Sequence, residues 1–190
     1  MGTLDDLYDP MLLKDMERAV SILCEAVDTG KKIRIVGDYD IDGVCSTYIL
    51  LQAFERLGSD VDLRYRIASR MATESMNRSS NRRTRTAWEV ILTCDNGISA
   101  FHQVELAKKY GMTVVITDHH EVPLDGEKEK IPPADAVIDP KQADCPYPFP
   151  EICGAVVAYK LVQVLYAAGA CRRWNGWICL NLPRLRRSVM

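Results

Sequence analysis

The sequence lacks the features that mark several large classes of protein. Its 190 residues carry 24 Lys and Arg against 26 Asp and Glu, so the chain cannot coat nucleic acid through bulk positive charge alone. It has no apolar run close to the roughly 20 residues that a membrane-spanning helix needs. The N-terminal segment, MGTLDDLYDP, lacks the apolar stretch of a signal peptide. We therefore expect a cytoplasmic protein without a membrane partner.

The cysteines form no motif for zinc or for redox chemistry. All seven are scattered along the chain, and no two of them make a CxxC pair. The spacing therefore favours neither a zinc ribbon nor a thioredoxin-like site. Unpaired thiols agree with the reducing conditions of the cytoplasm.

Two kinds of apolar segment alternate along the chain. The short ones predict strands: IRIV, VDLRYRI, VILTC, TVVIT and ADAVIDP. The longer ones predict helices: residues 10–28, VCSTYILLQAFERLG, AFHQVELAKKYG and ICGAVVAYKLVQVLYAAG. Alternation of this kind is typical of an α/β fold. We expect a five-stranded, mostly parallel sheet with helices on both faces.

Three aspartates alternate in the segment GDYDIDG, directly after the first predicted strand. If the chain stays extended there, Asp38, Asp40 and Asp42 point the same way. Carboxylate oxygens are the ligands that magnesium and manganese prefer. Taken alone, the pattern indicates an acidic, solvated turn at least as well as a metal site.

Two further predicted strands end in residues of the same chemistry. VILTC is followed by Asp95, and TVVIT is followed by Asp118, His119 and His120. Because the carboxyl ends of parallel strands share one edge of a sheet, we expect these side chains to lie near those of GDYDIDG. Carboxylates with one or two imidazoles suit manganese or magnesium better than zinc, since no thiolate takes part.

Such a site predicts hydrolysis of a phosphate ester. Two divalent ions about 3.5–4 Å apart can activate a water and stabilise the leaving oxygen of an in-line displacement at phosphorus. Asp95, alone at its strand end, is the natural bridge between the ions. If His119 is a ligand, His120 is placed to contact a phosphate oxygen or to transfer a proton. His102, on a predicted helix without such neighbours, is expected to be a surface residue.

The ordered set of segments resembles the DHH phosphoesterase family. GDYDIDG, CDNGIS and TDHHEVP are similar to its first three motifs, and the form GDYDxDG resembles the RecJ-like branch of single-strand-specific exonucleases. The similarity covers residues 6–69 and 89–170. It implies a hydrolase with two Mn²⁺ or Mg²⁺ ions that degrades single-stranded DNA from the 5′ end in repair and recombination. Replication or repair proteins are then candidate partners.

The resemblance also implies roles for individual residues. Four of them would be metal ligands: Asp40, Asp42, Asp95 and His119. Asp95 would bridge the ions and act in catalysis together with His120, which would contact the phosphate. Asp38 and Asp118 would interact with the metal ligands without contacting the ions themselves. Val36 stands where related pyrophosphatases have a histidine, so the first ion would be held less firmly.

A few other positions near these motifs are candidates for a role at the site. Gly154 opens the last predicted helix, where either a close approach of its backbone to the site or tight helix packing would explain a glycine. Lys141 and Lys160 are candidate phosphate contacts, although solvated lysines explain them as simply. Tyr147 and Phe149 lie in a proline-rich loop, and we expect them to pack rather than to stack on bases.

Two segments, residues 70–88 and 171–190, depart from the family pattern. Read in a shifted frame, residues 71–88 would encode a RecJ-like loop and helix that begin DGYG. The same shift over residues 173–190 gives a segment that resembles the fourth motif, whose aspartate is a metal ligand. We expect that sequencing errors or real insertions and deletions altered both segments. We expect the DHH phosphoesterase domain to span residues 1–170, without the C-terminal substrate-binding domain that the resemblance would imply.

Two other functions stay open at this point. One is a DHH phosphodiesterase for short oligonucleotides, although the form GDYDIDG favours the exonuclease. The other is a non-catalytic protein that keeps the fold and binds single strands or a replication protein. The missing fourth-motif aspartate favours this second function, whereas the intact aspartates and histidines oppose it. The activity of the chain is therefore in question, and a test for metal-dependent hydrolysis separates the possibilities.

Overall fold

A computed structural model describes residues 7–65 and 88–168 of the chain. The shifted-frame hypothesis concerns segments that, apart from Trp88, lie outside these residues. The aromatic ring of Trp88 lies 4.3 Å from the guanidinium carbon of Arg34 on the first strand.

The chain alternates between helices and strands as the apolar pattern predicts. After a short 3-10 helix, Pro10–Leu12, the helices are α1 (Met16–Asp28), α2 (Ile41–Arg56), α3 (Phe101–Lys109) and α4 (Gly154–Ala167). The strands are β1 (Ile33–Gly37), β2 (Val61–Tyr65), β3 (Val90–Cys94), β4 (Thr113–Thr117), β5 (Leu124–Asp125), β6 (Lys128–Glu129) and β7 (Ala136–Ile138). None of the helices in the described ranges is long and apolar enough to cross a membrane.

Five of the strands form one sheet in the order β2-β1-β3-β4-β7. Every neighbouring pair in this sheet is parallel, which confirms the expected sheet and makes it more regular than predicted. The chain runs outward from β1 to β2 and then returns to β3 on the other side of β1. A reversal of this kind opens a crevice at the carboxyl ends of the two inner strands, where α/β proteins bind ligands.

Helices cover both faces of the sheet, in agreement with the sequence prediction. Helices α1, α2 and α4 pack on one face in a core that includes the fully buried Phe54, Leu92 and Leu161. On the other face, Val104 of α3 lies in a second cluster with Ile116 of β4. The carboxyl edge of the sheet thus lies between the helices of the two faces, and each described loop at that edge connects packed elements.

The first predicted helix, over residues 10–28, is interrupted. Asp15 adopts a left-handed conformation with φ of 60°, and α1 begins only after it. The carboxylate of Asp15 accepts a hydrogen bond of 3.0 Å from the backbone N–H of Val137 in the edge strand β7. The single-helix prediction is wrong because this long-range bond takes precedence over the local helical pattern.

The segment GDYDIDG does not stay extended, so the condition under which its three aspartates would point the same way is not met. Helix α2 begins at Ile41, and Asp40 caps it by accepting a 2.8 Å hydrogen bond from the N–H of Gly43. Asp42 therefore lies in the first helical turn. A Cβ atom at Gly43 would come within 2.5 Å of the carbonyl oxygen of Asp38, so only glycine allows the loop to fold this tightly onto the helix.

Candidate metal centre

Side chains from three elements meet at the carboxyl edge of the sheet. Asp95 follows β3, His119 follows β4, and Asp42 projects from the first turn of α2. Nε2 of His119 lies 2.9 Å from Oδ1 of Asp95 and 3.4 Å from Oδ2 of Asp42. One side-chain ligand atom from each of Asp95, His119 and His120 lies within 4.8 Å of the others. The structure thus brings together residues from all three predicted motifs.

Asp95 is a buried carboxylate without hydrogen-bond partners in the described part of the chain. It is only 1% exposed, and although His119 is close, it is not aligned for a hydrogen bond to either oxygen. Burial raises the pKa of Asp95 to about 7, and the nearby charges of Asp42 and Asp40 add to this effect. Asp95 also has a left-handed backbone, with φ of 58°. A buried acid with two unused oxygens is a group that a cation would satisfy.

Asp42 lies against the beginning of α4. Its Oδ2 accepts a 2.7 Å hydrogen bond from the N–H of Gly154, and its Oδ1 accepts one of 2.9 Å from the N–H of Ala155. A Cβ atom at Gly154 would lie 2.7 Å from Oδ1 of Asp95. Of the two explanations for this glycine, the geometry favours the close approach of its backbone to the site.

Asp40 and Asp38 occupy the loop between β1 and α2. The backbone N–H of Gly43 lowers the pKa of Asp40, which also interacts with the side chain of Asp95. The carboxylate of Asp38 accepts a 2.7 Å hydrogen bond from the N–H of Tyr39 in its own loop. Asp40 therefore faces the site, whereas the described contact of Asp38 is with the loop backbone.

Asp118 and His120 form a hydrogen-bonded pair beside Asp95. Oδ1 of Asp118 lies 2.7 Å from Nδ1 of His120, and the backbone N–H groups of Ile98 and His119 also donate to Asp118. Burial alone would raise the pKa of Asp118, but these hydrogen bonds outweigh it and the pKa is lowered. The hydrogen bond to Asp118 raises the pKa of His120 to about 9. His120 is therefore an imidazolium at neutral pH.

Asp139, which the sequence analysis did not single out, lies at the same edge. It follows β7 and is fully buried, and its Oδ1 accepts a 2.9 Å hydrogen bond from the N–H of Lys141. Its Oδ2 has no partner among the described residues. Burial raises its pKa to about 7, and the charge of Asp118 contributes. Its position after the fifth predicted strand, like that of Asp95 after the third, was the signal that could have identified it.

The two candidate lysines have different surroundings. Nζ of Lys141 lies 2.8 Å from a carboxylate oxygen of Glu121, near the site. Lys160 is fully buried; its Nζ donates a 2.7 Å hydrogen bond to the carbonyl oxygen of Tyr8 and lies 5.1 Å from the ring of Tyr147. Lys160 is thus neither a solvated lysine nor a phosphate contact, because its amine is used to hold the N-terminal segment.

The two aromatic residues of the proline-rich loop also differ. Tyr147 is 5% exposed and packs in the main core, as expected. Phe149 is 51% exposed, so the expectation that it packs is wrong. His102 lies on the exposed side of α3, as predicted for a surface histidine.

Comparisons with known proteins connect this geometry to a family. Residues 32–176 match the family model described as the DHH family, N-terminal domain. The chain is 38% identical over 165 residues to the single-stranded-DNA-specific exonuclease RecJ of Bacillus subtilis, an alignment that covers 84% of this chain and 20% of that protein. It is 35% identical over 178 residues to RecJ of Escherichia coli, covering 91% of this chain and 29% of that protein.

A solved structure shares the fold. A crystal structure of RecJ from Thermus thermophilus in complex with Mn²⁺ matches with a TM-score of 0.65 and 30% identity, over 82% of this chain and 21% of that chain. The chain therefore spans less than a third of the length of these relatives. Since the family model matches well over half of its residues, the chain belongs to the DHH family.

Proposed function

We propose that the chain is the metal-binding part of a nuclease that hydrolyses phosphodiester bonds of single-stranded DNA in the 5′ to 3′ direction. The observation that carries the proposal is the buried Asp95, whose two oxygens have no hydrogen-bond partner among the described residues although Asp42 and His119 lie close by. The similarity to RecJ exonucleases of several bacteria supports the choice of substrate.

The residues at this edge fit Mn²⁺ or Mg²⁺. The proposed ligands are Asp40, Asp42, Asp95 and His119. They offer carboxylate oxygens and one imidazole nitrogen, the donor set that these ions accept and that differs from thiolate-rich zinc sites. Two ions held there would supply an activated water and stabilise the oxygen that leaves phosphorus. The RecJ structure from Thermus thermophilus, which contains Mn²⁺, supports this choice of ion.

His120 is the proposed contact to the phosphate. Its pKa of about 9 keeps the ring charged at neutral pH, and Asp118 holds Nδ1 at 2.7 Å. The other ring nitrogen is then a donor for a phosphate oxygen, where a positive charge offsets the negative charge of the substrate. Asp118 orients the ring, and the loop that contains Asp38 holds Asp40 at the start of α2.

Degradation of a 5′-labelled single-stranded DNA tests the proposal. We expect label release that requires Mn²⁺ and is absent with Asp95→Asn, since the variant keeps the shape of the side chain and loses its charge. Asp125→Asn, in the exposed strand β5, is the matched control and should behave like the wild type. Equal cleavage by wild type and Asp95→Asn would contradict the proposed site. Wild-type cleavage that does not depend on Mn²⁺ would contradict the proposed metal-dependent hydrolysis.

A second form of the protein tests the proposal about the two unusual segments. In this form, residues 71–88 and 173–190 are replaced by the peptides of the shifted frame, which restore a fourth-motif aspartate. We expect it to be more active on single-stranded DNA than the chain as written. Re-sequencing the coding DNA tests the cause, and the hypothesis fails if neither shifted frame encodes those peptides.

We further propose a cytoplasmic role in DNA repair and recombination, with replication or repair proteins as partners. The cysteines of the described residues support a reducing compartment because they are free thiols: Cys24, Cys45, Cys94, Cys145 and Cys153. Cell fractionation tests the location. Sensitivity of a deletion strain to DNA damage tests the role, and normal survival would contradict it.

A further inference from the structure

We infer that Gly154, the first residue of α4, is a positioning residue for the proposed metal ligands Asp42 and Asp95. It would hold one carboxylate through its backbone N–H and leave space for the other through its missing side chain. The inference rests on the proposed metal-binding function of the site.

The first contact fixes Asp42. The N-cap residue of α4, Cys153, makes no side-chain hydrogen bond to the helix within the described residues. Asp42 of α2 takes that role, since its two oxygens accept the N–H groups of Gly154 and Ala155 at 2.7 and 2.9 Å. A carboxylate is favoured at a helix N-terminus by these N–H groups and by the helix dipole. Helix α4 therefore sets the direction in which Asp42 faces the site.

The second contact concerns space around Asp95. A Cβ atom at Gly154 would lie 2.7 Å from Oδ1, 3.0 Å from Cβ and 3.1 Å from Cγ of Asp95. Gly154 does not have a positive φ, so the helix would accept alanine here on conformational grounds. The glycine is needed because Asp95 occupies the place of a side chain.

Neither Asp95 nor helix α4 can easily move away from a methyl group added at position 154. Asp95 is 1% exposed, and its N–H is bonded to the carbonyl oxygen of Thr117 in β4. Helix α4 is packed in the main core through Val157 and Leu161. An alanine at position 154 would therefore push the Asp95 carboxylate away from His119, or lift the beginning of α4 away from Asp42. Either displacement separates the proposed ligands.

Mn²⁺ binding by the full chain tests the inference, with free Mn²⁺ measured by electron paramagnetic resonance. We expect Gly154→Ala to weaken binding by about tenfold or more, the size of effect seen when groups that orient metal ligands are changed. Cys153→Ala, one residue earlier and exposed, should bind within about twofold of the wild type on the same scale. Equal affinity of Gly154→Ala and wild type would overturn the inference, while a wild type that binds no Mn²⁺ would overturn the proposed function with it.

Thermal unfolding of the metal-free protein distinguishes a failure of the positioning inference from a failure of the proposed metal-binding function. Gly154→Ala should lower Tm in the wild type but not in an Asp95→Gly background, which removes the side chain that the methyl group would meet. Glycine at position 95 readily adopts the φ of 58° that Asp95 has in the wild type. An equal loss of Tm in both backgrounds would overturn the positioning role, whatever the metal result. A loss only when Asp95 is present supports the geometry independently of Mn²⁺.

Discussion

Two equally buried aspartates at neighbouring strand ends differ in their hydrogen bonds, their charged neighbours and the direction in which their pKa is shifted. Asp95 after β3 and Asp118 after β4 are each 1% exposed. Asp118 accepts hydrogen bonds from three backbone N–H groups and faces the ring of His120, and its pKa is lowered. Asp95 has no hydrogen-bond partner in the described ranges, lies near two other acids, and has a pKa raised to about 7.

The difference separates a carboxylate whose charge is satisfied within its own chain from one that we propose binds a metal ion. A buried charge stabilises a protein only when it is fully hydrogen-bonded or paired. Asp118 meets that condition with groups of its own chain. Asp95 lies 2.9 Å from Nε2 of His119 but makes no hydrogen bond within the described residues, and burial together with two nearby acids disfavours its charged form in the metal-free protein. Residues that persist in an unfavourable state are typical of functional sites.

The largest expected effect is that of Asp95→Asn. The variant should lose Mn²⁺-dependent cleavage by on the order of a thousandfold or more, since a metal site contributes several kcal/mol to transition-state stabilisation. At the same time, the metal-free variant should be more stable than the wild type at pH 8, by on the order of 2 kcal/mol. An acid with a raised folded-state pKa loses stability as the pH rises from its unfolded value to about 7, and asparagine has no charge to lose.

Asp118→Asn should have the opposite effect on stability. Asparagine replaces a charged acceptor with an amide whose NH₂ group would meet N–H donors, so several charge-assisted hydrogen bonds are lost. We expect the free energy of unfolding to fall by about 3 kcal/mol at pH 8, measured by urea denaturation. If Asp95→Asn and Asp118→Asn changed stability in the same direction, the distinction between the two acids would be wrong.

Asp139→Asn tests whether a third buried acid resembles Asp95. Its pKa of about 7 means that the wild type loses stability as the pH rises from the unfolded-state value of about 4 to 7. Asparagine can still accept the hydrogen bond from the N–H of Lys141 through its oxygen. We therefore expect the variant to gain on the order of 2 kcal/mol relative to wild type between pH 5 and pH 8. A pH-independent difference between the two proteins would contradict this.

The smallest effect concerns the pair of His120 with Asp118. The pKa of His120 is raised to about 9, so its contribution to stability is fully present below the unfolded-state value of about 6.5 and is lost as the pH rises through 9. The ring is 54% exposed, and solvent screening should keep the contribution below about 1 kcal/mol. Tm profiles of wild type and His120→Gln should converge above pH 9. Profiles that stay parallel across this range would show that the pair does not titrate as described.

Much of the fold was predictable because it follows from local patterns. Apolar segments gave the strands and helices, and the polar residues after them identified one edge of the sheet. Two of the failures involve partners distant in sequence. Asp15 breaks a helix to bond Val137, and Lys160 is buried because its amine reaches the carbonyl oxygen of Tyr8. Asp139 was missed although it comes at the end of the fifth predicted strand, because a single aspartate before a proline gives no local sign of its own burial.

The most direct test of the account is the Tm of wild type and Asp95→Asn at pH 8, each with and without saturating Mn²⁺. The account predicts that the variant is the more stable protein without metal. It also predicts that Mn²⁺ stabilises only the wild type, so that the order reverses when the ion is added. If the order were the same in both conditions, Asp95 would not be a buried acid that a metal ion satisfies, and the central claim would be contradicted.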